Sequence, residues 1–105
     1  MKMKGLLRAA KKGNEFAQCQ IGHLYFRGIG VEQSYHEALE WYRRAAMRGE
    51  ASSQFRLGLL YANGHGVEQD LNEAMLWIKK AFYQDHPGAK LYLGVSEDKN
   101  SKLHH

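Results

Sequence analysis

Residues 13–48 and 49–84 are two copies of one pattern, aligned without a gap at an offset of 36 positions. Fourteen of the thirty-six paired positions hold the same residue. Among them are Gln18/Gln54, Gly22/Gly58, Tyr25/Tyr61, Gly28/Gly64, Gly30/Gly66, Val31/Val67, Glu37/Glu73, Trp41/Trp77 and Ala45/Ala81. A unit this short cannot enclose a core alone, so neighbouring copies must stack and bury their apolar faces against one another. Such an array presents an extended surface, and its ordinary use is binding.

Inside each copy the apolar residues fall into two stripes. Ala17, Ile21, Leu24 and Tyr25 fall on one face, as do Phe55, Leu57, Leu60 and Tyr61 with slightly wider spread. A second stripe of Ala38, Trp41, Tyr42, Ala45 and Ala46 is echoed by Ala74, Trp77, Ile78 and Ala81. Both have helical spacing, which predicts a helix A over 15–26 and 51–62 and a helix B over 35–48 and 71–84. Ser34 with Glu37, and Asp70 with Glu73, have the spacing of a capping box at the start of helix B. Gly28, Gly30, Gly64 and Gly66 stand where helix A must stop, Gly49 follows helix B, and Pro87 suits the first turn of a last helix. Gly22 and Gly58 lie inside helix A, where glycine costs about 1 kcal/mol relative to alanine. They predict a close backbone crossing, with Ala38 and Ala45 facing it and Gly94 in the same role at the end of the chain.

The register continues beyond the two copies. Ala9, Ala10 and Gly13 occupy the positions of Ala45, Ala46 and Gly49, so residues 2–12 read as a lone helix B. Ala89, Leu93 and Gly94 occupy those of Ala17, Ile21 and Gly22, so 87–95 read as a lone helix A. One domain is expected over 1–95, followed by a polar tail at 96–105 that frays. His104 and His105 are set aside, because an affinity tag also leaves terminal histidines.

Composition narrows the functional classes. The net charge of +4 and a pI near 9.3 favour acidic partners mildly and are too small to indicate DNA. One cysteine, Cys19, excludes an internal disulfide framework. No apolar run approaches the roughly 20 residues of a membrane span. If Met1 is the native start, the absence of a signal-length apolar stretch predicts a cytoplasmic protein; a natural chain beginning earlier would allow a secreted or periplasmic one.

The residues AQxxIGxLYxxGxGVEQxxxEAxxWYxxAAxxG, as they stand here, resemble the Sel-one-like repeat (SLR), a relative of the tetratricopeptide repeat. The resemblance covers two complete copies at 13–84 and partial ones at 2–12 and 85–95. A plain tetratricopeptide array fits less well, since Gln18 and Gln54 stand where it expects tryptophan. The resemblance implies an all-α fold, a right-handed superhelix of about six stacked antiparallel helices with helices A on the concave side. It also implies a scaffold, adaptor or regulator that binds another protein or peptide.

Helix-A positions that the repeat signature leaves free are the candidates for recognition. On the first helix A these are Phe16, Gln20, His23 and Arg27, which share one face; on the second, Ser52, Arg56, Leu59 and Asn63; on the third, Tyr92 and Val95. The expected partner-binding set is Gln20, His23, Arg27, Arg56, Leu59, Asn63 and Tyr92. Arginine and tyrosine are enriched at binding hot spots. Arg43, Arg44, Lys79 and Lys80, with Arg8, Lys12 and Arg48 near, lie in the last turns of helices B, where cations complement the helix dipole. Trp41, Trp77 and Tyr42 read as core.

Catalysis finds little support in the residues. His23, His36, His65 and His86 fall in unrelated parts of the repeat, so no metal site is expected. Cys19 takes the place of Phe55 and Leu91 and reads as a small core hydrophobe, and no Cys/His or Ser/His/Asp set emerges from the helical phases. The expected chain is therefore not an enzyme and carries no cofactor. Its partner is another protein or peptide, and an acidic one suits the charge. A self-associating building block stands second, and a small-molecule binder or hydrolase last.

Overall fold

The computed structural model describes residues 2–94. They form α1 (Lys2–Lys11), α2 (Glu15–Arg27), α3 (Tyr35–Met47), α4 (Ala51–Asn63), α5 (Leu71–Tyr83) and α6 (Pro87–Tyr92). Helices α2 and α4 are the A helices of the two copies, and α3 and α5 the B helices. Each helix packs on its chain neighbour: α1 on α2, α2 on α3, α3 on α4, α4 on α5 and α5 on α6. The result measures 55 × 25 × 20 Å, with a radius of gyration of 15.0 Å. A compact domain of this length would have a radius near 13 Å, so the stack is elongated.

Local signals set the helix ends. Ser34 Oγ accepts from the Glu37 amide at 3.1 Å and Asp70 Oδ1 from the Glu73 amide at 3.0 Å. Each satisfies one of the amides that a helix start leaves without a partner. The return half of the capping box is not made. The Ser34 and Asp70 amides instead donate to the Tyr25 and Tyr61 carbonyls, both at 2.9–3.0 Å, and so tie the start of each helix B to its own helix A. Gly28 and Gly64, both with φ of 69°, close the A helices in the left-handed region.

The core is distributed along the stack. Ala10, Ala17, Ile21 and Trp41 pack with Met3, Leu6 and Leu7 of α1. Cys19, Ala38, Leu39, Tyr42, Ala45, Ala46, Leu57 and Leu60 fill the seam between the two copies. Ala62, Ala74, Ile78, Ala81 and Ala89 join the second copy to α6. The turn 64–66 also braces the first copy: His65 stacks on Tyr35 with ring centroids 4.4 Å apart. A Cβ on Gly66, where φ is 77°, would stand 2.6 Å from the Tyr35 backbone carbon, so only glycine fits.

Three sequence expectations need correction. The group nearest Gly22 is the ring of Tyr42, not Ala38 or Ala45, and Gly58 faces Ile78 and the carbonyl of Ala74, the repeat equivalent of Ala38. Gly94 is not an interior glycine: α6 ends at Tyr92, and Gly94 follows with φ of 70° and open space around it. Trp77 is only half-buried, whereas Trp41 is covered by α1. Val95 and the tail 96–105 lie outside the described residues.

Candidate functional site

Helices α2, α4 and α6 carry the seven expected recognition residues, and their surroundings divide them. Gln20, Arg27 and Asn63 are exposed, and Tyr92 is 48% exposed with its ring edge-on to Phe55 at 6.3 Å. Arg56 is half-buried. Leu59 is half-buried against the core around Ile78, so part of it is structural. His23 turns inward.

The inward turn of His23 creates a polar relay that the sequence reading had excluded. Its Nδ1 shares a hydrogen bond of 2.6 Å with the Tyr42 hydroxyl, and its Nε2 lies 3.5 Å from Cys19 Sγ. Cys19 and His23 are four residues apart on one helix, hence on one face, and a Cys/His pair therefore does exist. Its protonation states are the reverse of a nucleophilic pair. Burial pushes the Cys19 thiol up to about 11, with Ser53 opposing and Glu50 adding to the rise. Burial lowers the pKa of His23, and the Arg56 and Arg27 charges lower it further. Burial also raises Tyr42. A neutral imidazole and a protonated thiol at neutral pH are a hydrogen-bonded core device, not an activated thiolate.

Arg56 and Glu50 extend the site toward α6. Both act on His86, whose pKa burial lowers, with Glu50 opposing and Arg56 adding to the fall. The Glu50 carboxylate caps α4, accepting from the Ser53 amide at 2.7 Å. His86 caps α6, its Nδ1 accepting from the Ala89 amide at 3.2 Å, and its ring packs on Phe55 with centroids 5.0 Å apart. Sequence reasoning missed Glu50, Phe55 and His86 as neighbours of this face. The signal for His86 was its place immediately before Pro87, the N-cap position of a proline-led helix.

The basic residues of helices B are mostly engaged. Arg43 donates to the Tyr61 hydroxyl at 2.9 Å, Arg44 lies over the Trp41 ring at 4.4 Å, and Lys80 lies 5.8 Å from the Trp77 centroid. Among the described residues, no cluster of three or more His, Cys, Asp or Glu side chains could hold a metal ion. No helix among them is long and apolar enough to cross a membrane.

The geometry just described has clear relatives. The Sel1 repeat family model matches residues 16–50 and 51–86, most of the chain. This chain belongs to the Sel1 repeat family. A Sel1 repeat protein from Oxalobacter formigenes superposes with a TM-score of 0.83 at 40% identity, covering 88% of this chain and 38% of that one. The SLR-fold protein c5321, a protective antigen of uropathogenic Escherichia coli, gives 0.82 at 39% identity, covering 89% of this chain and 20% of that one. Cysteine-rich protein B of Helicobacter pylori, at 21% identity, shares the fold with a TM-score of 0.79 over 83% of this chain and 65% of that one. The chain thus spans less than two thirds of the length of each of these solved structures. Among curated proteins, none matches it. As a Sel1 repeat chain, it has a fold that typically serves as a scaffold for protein interaction.

Proposed function

We propose that this Sel1 repeat chain holds a segment of a partner protein across the helix-A face, through Gln20, His23, Arg27, Arg56, Leu59, Asn63 and Tyr92. The observation behind this reading is the row of side chains on α2, α4 and α6 that the fold does not fully consume. Gln20, Arg27 and Asn63 are exposed, Arg56 is half-buried and Tyr92 is 48% exposed. On the B helices, by contrast, Arg43, Arg44 and Lys80 are bound to Tyr61, Trp41 and Trp77. Tyr92 supplies the aromatic anchor that recurs at binding hot spots, and His23 serves as the floor beneath the bound segment, held by Tyr42.

The test is capture of partners from a lysate of the source organism by the native chain and by Arg27→Glu/Arg56→Glu/Tyr92→Ala, the latter shown folded by circular dichroism. A protein retained by the first and lost by the second supports the helix-A face. Equal capture by both rejects it. Self-association is the second reading, favoured by Leu91: this residue is 81% exposed, whereas its repeat equivalent Cys19 is 6% exposed. Mass that rises with concentration and falls back in Leu91→Lys would select it.

A further inference from the structure

Arg56 differs from the other partly covered cations of the chain. Arg43 has the Tyr61 hydroxyl at 2.9 Å, and Lys90 the Asp85 carboxylate at 3.1 Å. Arg56 is half-buried in the middle of α4, yet among the described residues it has no hydrogen-bond acceptor and no carboxylate within 4.0 Å. A guanidinium only partly withdrawn from water, with no protein acceptor, keeps its N–H fork free for an acceptor that a bound segment brings. The Glu50 carboxylate caps α4 through Oε1 and lies beyond ion-pair distance of Arg56.

Two arginines and one carboxylate bear on this part of the face, Glu50 opposing the effect of Arg56 and Arg27 on His23. Arg27, exposed on α2, also has no ion-pair partner among the described residues, and the charges of both arginines bear on His23. His23 is occupied by Tyr42 and Cys19, so it cannot accept from either arginine. On the α6 side, Phe55 packs on His86 at 5.0 Å and meets the Tyr92 edge at 6.3 Å, forming an apolar shoulder.

We infer that Arg56, assisted by Arg27, seats a carboxylate of the bound segment on the helix-A face, with an apolar side chain beside it against Phe55 and Tyr92. The planar guanidinium fork takes both carboxylate oxygens at once, and a half-buried site makes that bond stronger than an exposed one. An Asp or Glu side chain and a free chain end share this chemistry. The inference rests on the helix-A reading above.

Two degenerate dodecapeptide libraries, differing only in Glu or Gln at one central position, test it on the immobilised chain, with retention read by mass spectrometry. The native chain is expected to retain the Glu library about tenfold over the Gln library, as charge-assisted bonds allow. Arg56→Gln should abolish that preference, Arg56→Lys should restore it only in part, and Arg44→Gln should leave it unchanged. A third library with Gln at the centre and a free rather than amidated C-terminus separates the chain end from the side chain. Equal retention of the Glu and Gln libraries, with no gain from the free terminus, overturns the carboxylate seat while leaving peptide binding intact. A Glu preference that survives in Arg56→Gln, with the variant folded by circular dichroism, also overturns it. Retention of no library by the native chain rejects the helix-A reading together with it.

Discussion

Gly22 lies directly beneath the ring of Tyr42: a Cβ placed on it would stand 2.6 Å from Cδ1 and 2.7 Å from Cε1. The Tyr42 side chain is fully buried and bonded to His23, so it cannot retreat. Gly22→Ala should therefore destabilise the chain by about 1–3 kcal/mol through overpacking, although alanine is the better helix former. Gly5, inside α1 with nothing within 4 Å of its added Cβ, is the control. Gly5→Ala should stabilise by up to about 1 kcal/mol. Urea denaturation of both variants checks the pair, and a shift of the same sign in each would reject the packing argument.

Acidification should unfold the chain through its histidines. The folded-state pKa of His23 lies below its ordinary value of 6.5, chiefly by burial and then through Arg56 and Arg27, with Glu50 opposing. His86 is lowered as well. As pH falls, the unfolded chain takes up the proton first, so the stability these groups contribute is present above about pH 6.5 and is lost as pH drops through the lowered values. Melting temperature should be flat near neutrality and decline below that point. His23→Asn should flatten the decline, and an unchanged slope would show that His23 is not the group responsible.

Cys19 should resist thiol reagents while the chain is folded. It is 6% exposed and its thiol is pushed up to about 11. At pH 8 its thiolate population is then about two orders of magnitude below that of a free cysteine. Labelling by a disulfide reagent is expected only after denaturant is added. Rapid labelling of the native chain would refute both the burial and the protonated state.

Gln18 and Gln54 hold equivalent posts at the junctions between units. The Gln18 amide donates to the Ala10 carbonyl at 3.0 Å, and the Gln54 amide to the Ala46 carbonyl at 3.2 Å, in each case at the end of the preceding helix. They differ at the oxygen. Gln54 Oε1 accepts from Gln84 at 3.0 Å, whereas Gln18 Oε1 is buried without a partner among the described residues. Gln54→Ala should cost about 1 kcal/mol more than Gln18→Ala, one net hydrogen bond. In a Gln84→Ala background the gap should close, measured by a double-mutant cycle.

The helices were legible in the sequence because their causes are local. Periodicity, Ser34 and Asp70 as caps, and glycine stops placed α2 to α5 within about two residues of their observed ends. Repetition added the stacking, since a stripe such as Ala38, Trp41, Tyr42 and Ala45 has nowhere to go except against a neighbouring unit. The same register also predicts a helix on either side of the two copies, where α1 and α6 stand.

Tertiary structure alone decided which side chains meet. Tyr42 and Ile78 share a repeat position, yet only Tyr42 has a hydroxyl that reaches across to His23, and that bond leaves His23 half-buried with both ring nitrogens engaged. The exclusion of a Cys/His pair failed for the same reason: helical phase gives a face, but burial and the second helix give a rotamer and a protonation state. That Arg56 has no acceptor among the described residues was equally invisible, because one side chain's surroundings depend on how α4 packs against its neighbours. A sequence repeats its faces as its residues repeat; the packed side chains break that symmetry wherever two equivalent positions differ in size or polarity.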